Sequence, residues 1–296
     1  MNVLKNRLGQ SGAGLMGQAH QPIICYVPTR SIMPRQAPQL KRLRFWNAQL
    51  SSFGKIQNIS YQHIPAEGEL GDNVEKMVNA TRIQVQEMHK RNPLKPIILI
   101  GWDSAALISL LVSVQEPKCI TAVCCLGLPL ISLRGQLAEL PEPKCPLFVA
   151  MGSEAANTDV KWFEEERDQF KVESALVVVE GGDSLLRVKS ETQLEIGLTQ
   201  SMIDKHVIDE MWEFLYKIIS GKQQITKDHH HHVQLGHVLG ADHSDEHQPV
   251  TKPKPVMSEF CFMKLVRSYA FSFSTNPKRN VNAQYQGLQG ILAGKV

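Results

Sequence analysis

The stretch Ile97 to Ala105 (IILIGWDSA) is where chemistry is most legible in this sequence. An apolar run enters a Gly-x-x-x-small turn and leaves as a helix, the pattern of a nucleophile elbow. Gly101 and Ala105 are the small residues that let the backbone turn sharply. Asp103 is the side chain such a turn displays, with Trp102 and Ser104 flanking it. A carboxylate there can attack a substrate carbon and form an ester, which a histidine-activated water then releases. The competing reading makes Asp103 a turn residue that caps the following helix, a position where Asp is favoured. Ser104 lies one residue out of register and would point away from the displayed position. Trp102 reads as a packing residue rather than a substrate platform.

The partners of a displayed nucleophile are harder to find. In an α/β-hydrolase fold the base sits in the loop after the last strand, here beyond Val179. That loop reads Glu180-Gly181-Gly182-Asp183-Ser184-Leu185-Leu186, so Asp183 and Ser184 stand where a histidine is required. Without a base, neither a seryl nor an aspartyl intermediate turns over usefully. Gly240-Ala241-Asp242-His243 imitates a histidine loop but lies in a His-rich segment beyond the last helix. His206, near the start of that helix, reads as a surface or boundary residue. The acid position after Met151 offers only Glu154, within Gly152-Ser153-Glu154-Ala155. The loop after the first strand begins Pro28-Thr29-Arg30, without the glycine motif of an oxyanion hole, and Pro28 has no N–H to donate. No catalytic residue is assigned on these grounds. Gly101, Trp102, Asp103, Ser104 and Ala105 are expected to form a vestigial elbow, and Asp183 and Ser184 a degenerate histidine loop. The alternative is a divergent hydrolase that uses Asp103 as nucleophile with an unconventional base such as His243.

The elements that must hold these residues alternate between strand and helix from about Ile23 to Ser220. Ile23 to Val27 closes at Pro28 and predicts a buried strand. Leu40, Leu43, Trp46, Leu50 and Phe53 recur at helical spacing before Gly54. Ile56 to Ile64 is expected to be a second strand. Asp72 and Glu75 have capping-box spacing ahead of the helical face Val74, Met77, Val78, Thr81, Val85 and Met88. Ile97 to Ile100 is a continuous apolar run, typical of a strand covered on both faces. A helix is predicted from Ser104 to before Pro117, then strands at Thr121 to Leu126 and Pro146 to Met151. A charged helix from Val160 to Phe170, a strand from Ala175 to Val179 and an amphipathic helix through Val207, Met211, Phe214, Leu215 and Ile218 complete the pattern. The fold class is therefore α/β: a mostly parallel sheet of about six strands with helices on both faces, followed by a low-complexity tail. Residues 1–20 are expected to be a flexible extension, 21–221 the folded domain, and 222–296 a His-rich and Lys/Pro-containing tail without much order.

Composition narrows the function classes. A net charge of +3 over 296 residues is too small for bulk electrostatic binding of nucleic acid. No run approaches the roughly 20 apolar residues that span a bilayer, and Met1 to His20 lacks the apolar stretch of a secretory signal. Cys119, Cys124, Cys125 and Cys145 fall in or beside apolar runs, where thiols behave as small hydrophobes. Adjacent Cys124 and Cys125 would face opposite sides of a strand, so they cannot both join one metal site, and a reducing compartment is expected. The run His229 to His232 could meet a transition metal, but a His tract of this kind reads as a spacer. Glu164 to Glu166 read as a solvated face that could offer an acidic patch to a partner. No cofactor, no metal and no membrane contact is expected.

At several of these residues the chain resembles the α/β-hydrolase-like region of subunit 3 of the NSL (non-specific lethal) histone acetyltransferase complex. The matching stretches are FWNAQLSSFGK from Phe45, KPIILIGWDSAA from Lys95, TAVCCLGLPL from Thr121, Pro146 to Gly152, and SALVVV from Ser174. The segment Gly197 to Asp204 (GLTQSMID) is the most distinctive, because no generic hydrolase needs it. The resemblance runs from about Ile23 to Ile219. It implies a pseudoenzyme: a non-catalytic interaction or scaffold subunit of a chromatin regulator in the nucleus, bound to other protein subunits, supporting histone acetylation and transcription.

Overall fold

The structure is a computed structural model that describes residues 21–28, 37–62, 70–131, 140–230 and 266–269. Strands β1 (Ile23–Val27), β2 (Lys55–Asn58), β3 (Ile97–Trp102), β4 (Ala122–Leu126), β5 (Leu147–Gly152) and β6 (Ser174–Val179) pair in parallel. Strand β7 (Val266–Tyr269) adds antiparallel to β6. The sheet order is β2-β1-β3-β4-β5-β6-β7. Connections run outward from β1 to β2 and then back across to β3, so the topological switch point lies between β1 and β3. Ligands of open α/β sheets bind at such a crevice, and the elbow ends β3 there. With this strand order and a sharp strand-to-helix turn after β3, the fold is α/β-hydrolase-like.

Alternation along the strands divides the core in two. Ile97 and Leu99 face one layer, where helices α2 (Leu70–Arg91) and α3 (Ser104–Gln115) pack, joined by Phe163 of α4 (Val160–Arg167). Ile98, Ile100 and Trp102 face the other, beneath α1 (Ala37–Ser51) and α6 (Gln200–His230). Helix α3 is buried along nearly its whole length, from Ala105 to Ser113, because it lies directly behind the sheet and is apolar all round. Cys124 and Cys125 do face opposite layers. Burial pushes both thiols well up, and Cys25 to about 12, so they act as packing groups.

Three features differ from expectation. The second strand ends at Asn58, because an edge strand has a partner on one side only and the chain turns to bury Ile59 and Tyr61 over α2; the Tyr61 hydroxyl meets Thr81 Oγ1 at 2.8 Å. Helix α2 starts at Leu70, which puts Asp72 inside the first turn rather than at the cap. A seven-residue helix, α5 (Ser190–Ile196), was not anticipated, since SETQLEI has no apolar stripe and buries nothing. Beyond residue 221, α6 continues to His230, and β7 lies in the C-terminal segment. The predicted extension 1–20 lies outside the described residues. Among those described, no helix is long and apolar enough to cross a membrane.

Candidate functional site: the elbow and its locked loop

The elbow is built as the sequence demands. Asp103 has φ 50 and ψ −120, a left-handed conformation that costs an L-residue about 1–3 kcal/mol. Its N–H donates to the Leu126 carbonyl at 2.8 Å and its carbonyl accepts from Ala106 N–H at 2.9 Å, which ties the turn to β4 and to α3. A Cβ on Gly101 would sit 2.2 Å from the Ala105 carbonyl oxygen, so only glycine fits the position. Ala105 is fully buried, while Asp103 and Ser104 are half-exposed. Asp103 occupies the N-cap position of α3 without a side-chain cap bond, so the capping explanation of this residue fails.

Trp102 points down, not toward a substrate. It meets Trp46 edge-on, centroids 4.9 Å apart at 80°, and the Arg42 guanidinium carbon lies 5.0 Å from its ring centroid. These contacts make it a packing residue with a cation above it.

The loop after β6 is closed on itself. Gly182 bridges Val188, Asp183 N–H donates to the Arg187 carbonyl at 3.0 Å, and Leu186 N–H donates to the Asp183 carbonyl at 2.8 Å. The Asp183 carboxylate accepts from the backbone N–H of Leu185 (2.8 Å) and Arg187 (2.9 Å) and from Arg187 Nε (2.8 Å). Burial alone would raise this carboxyl, but the Arg187 guanidinium and the two N–H donors outweigh it and hold it below the usual carboxylate range. Asp183 thus serves its own loop. The loop backbone rests on the strand ends: a Cβ on Gly127 would meet the Ser184 carbonyl oxygen at 1.9 Å, and one on Gly152 the Gly182 carbonyl oxygen at 2.2 Å.

Below the loop lies a device that sequence reasoning missed. Leu186, with φ 61, is driven fully into the core. Its carbonyl and that of Leu185 turn inward to meet Arg42, whose Nη1 lies 2.5 Å from Leu185 O and whose Nη2 lies 3.5 Å from Leu186 O. The same guanidinium grips Asp204 with two bonds, Nε to Oδ2 at 2.8 Å and Nη2 to Oδ1 at 2.6 Å. Gln200 completes the set. Its Nε2 donates to Leu186 O (3.0 Å) and to Asp204 Oδ1 (3.1 Å), and its Oε1 accepts Val188 N–H (3.0 Å). Asp204 is 1% exposed, so this is a buried ion pair with its lone pairs filled. Two signals pointed to it: Arg42 shares the i, i+4, i+8 stripe of Trp46 and Leu50, and Gln200 and Asp204 sit four apart within GLTQSMID.

The remaining candidates scatter. Glu154 is turned to Lys189 Nζ at 3.1 Å, and Ser153 Oγ accepts Gly181 N–H at 2.8 Å, so the acid position props the loop from outside. His206 is half-buried on α6, with Glu210 3.8 Å away. Pro28 is in place, but Thr29, Arg30 and His243 lie outside the described residues. Among the described residues no three His, Cys, Asp or Glu side chains gather as a metal site. A shallow depression is lined by Ser190, Gln193, Leu194, Gly197, Leu198 and Thr199, none of them from the elbow.

No family model matches the chain. Solved structures similar to it are α/β hydrolases at low identity. Est1E from Butyrivibrio proteoclasticus is 14% identical over 67% of this chain and 90% of its own, with a TM-score of 0.46. XC6422 from Xanthomonas campestris, an α/β serine hydrolase without a lid, is 14% identical over 56% and 75%, with a TM-score of 0.43. An α/β serine hydrolase homologue from Coxiella burnetii is 16% identical over 57% and 78%, with a TM-score of 0.41.

Proposed function

We propose that this chain is a non-catalytic α/β-hydrolase-like scaffold, an interaction subunit of an NSL-type histone acetyltransferase complex acting in the nucleus. One observation carries the non-catalytic half. The loop that should present a base carries Asp183 and Ser184 instead, and Arg42, Gln200 and Asp204 fix its backbone from beneath. A general base must place a proton-accepting side chain within hydrogen-bond reach of the reacting group. Here the Leu185 and Leu186 carbonyls meet the Arg42 guanidinium, the Leu186 side chain is a core residue, and the Asp183 carboxylate is held by Arg187 and its own loop. The chromatin half rests on the resemblance, and it gains from the fact that GLTQSMID supplies two of the three locking side chains. In this fold that segment helps to hold the loop after β6 through Gln200 and Asp204.

A second reading keeps one observation of its own: Asp103 retains the strained, displayed conformation of a nucleophile. In that reading the carboxylate displaces halide from a haloalkane carbon or opens an epoxide, and a base from outside the loop activates water to hydrolyse the resulting ester. The scaffold reading is tested by affinity purification of the full chain from nuclei followed by mass spectrometry. Acetyltransferase-complex subunits should be recovered in defined stoichiometry, and their absence would sink the chromatin assignment.

A further inference from the structure

Helix α5 is hard to explain by folding alone. Seven residues are too few for a helix to be stable by itself, and none of them is buried. It is nonetheless firmly built. Gly197 ends it in the left-handed conformation at φ 67, with Leu198 N–H donating to Gln193 O at 3.0 Å and Gly197 N–H to Leu194 O at 3.3 Å, the Schellman arrangement. Gln193 ties it to its neighbours through Nε2 to Val188 O (2.7 Å) and by accepting Gln200 N–H (3.0 Å).

What this rigid mount presents is apolar and acidic. Leu194 is 83% exposed and lines the shallow depression with Leu198, while Met202, one turn further into α6, is 46% exposed. Glu191 and Glu195 are exposed one helical turn apart on the same helix. Like charges at that spacing weaken a helix, and Glu195 also stands at the end where the helix dipole disfavours an anion. Neighbouring lysines do not offset them: Lys189 is held by Glu154 and Lys205 by Asp209, and among the described residues neither glutamate has an ion pair. The patch therefore carries two uncompensated negative charges around an exposed leucine, at a cost to local stability.

We propose that this face, Leu194 and Met202 flanked by Glu191 and Glu195, docks an amphipathic helix of a partner protein that carries lysine or arginine beside its apolar stripe. The face offers side chains and no open row of backbone donors and acceptors, so the occupant is recognised by its own side chains, as in helix-in-groove binding. The charge of the rim selects a basic partner helix over an acidic one. This rests on the interaction-subunit reading and names the surface it uses.

The test uses the purified full chain and a fluorescein-labelled helical peptide about 18 residues long, with leucines on one face and lysines on the other. A twin peptide carries glutamates in place of the lysines. Fluorescence anisotropy should show binding of the lysine peptide and none of the twin. Leu194→Ser should weaken binding about tenfold, the effect of losing one buried leucine contact. Glu191→Lys with Glu195→Lys should weaken it roughly fivefold, an effect that fades as salt approaches about 0.5 M. Each variant's melting curve should match the parent, and Met202→Ser replaces Leu194→Ser if it does not. No binding, equal binding of the twin, or binding indifferent to every variant would overturn the proposal. So would sedimentation showing that the face pairs two copies of this chain. These outcomes leave the nuclear purification untouched, so the two readings fail separately.

Discussion

At the scale of single residues, the geometry of the elbow turn is imposed by its surroundings. Asp103 holds a conformation that only a surrounding structure can impose, through its bond to Leu126 O and the close approach of Gly101 to Ala105. That much was readable from Gly101 and Ala105, because small residues at fixed spacing have a steric cause. The orientation of Asp183 was not readable, since an aspartate in a glycine-bearing loop can face any neighbour. It faces inward to Arg187 and Leu185, and this has a pH consequence. The folded state lowers the Asp183 carboxyl below its ordinary range, so the folded form binds its proton less tightly than the unfolded one. The stabilisation is whole above about pH 4 and drains away as pH falls through the folded value. The stability gap between wild type and Asp183→Asn, followed by urea unfolding, should therefore shrink on acidification. A gap of constant size would mean the loop does not depend on the ionised carboxylate.

Between elements, the decisive contact is made by Arg42. It joins α1 to α6 and to the loop after β6 across 162 positions of sequence from Asp204, and no local pattern encodes such a distance. Sequence reasoning placed α1 from its apolar spacing, and the stripe shared with Trp46 and Leu50 sets Arg42 apart from Lys41 and Arg44, but nothing local names Asp204 as its partner. The strands were legible for the opposite reason: a run such as Ile97 to Ile100, buried on both faces, needs no partner to be recognised. Helix α5 escaped because its contribution is made at the surface. Removing the Arg42 side chain leaves the buried Asp204 carboxylate without its cation and the Leu185 carbonyl without this donor. Arg42→Met should cost about 3–5 kcal/mol in chemical denaturation and raise amide exchange across 182–188 before the rest of the sheet. Replacing Asp204 with leucine in the same chain should recover part of that loss, because the uncompensated charge goes with it. A single variant as stable as the parent would show that the network does not hold the loop.

Seen whole, the molecule is a parallel sheet whose topology still creates a crevice between β1 and β3 and whose elbow still opens onto it. The parallel sheet, the helices on both its faces and the turn at the elbow were legible because they follow from periodicity and turn sterics, whereas the strand order was not, because periodicity carries no pairing information. The pairing of β7 with β6 was not, since four residues in a segment of mixed composition carry no strand pattern of their own. In the proposed reading, loss of catalysis belongs to this whole arrangement: the elbow turn survives at Asp103, and the loop after β6 buries Leu186 in the core. The most direct measurement is turnover of a panel of aryl esters and haloalkanes by the purified full chain beside Asp103→Asn. The scaffold account predicts rates indistinguishable from the uncatalysed background for both proteins. Turnover by the parent that disappears in Asp103→Asn would contradict it and establish Asp103 as a working nucleophile.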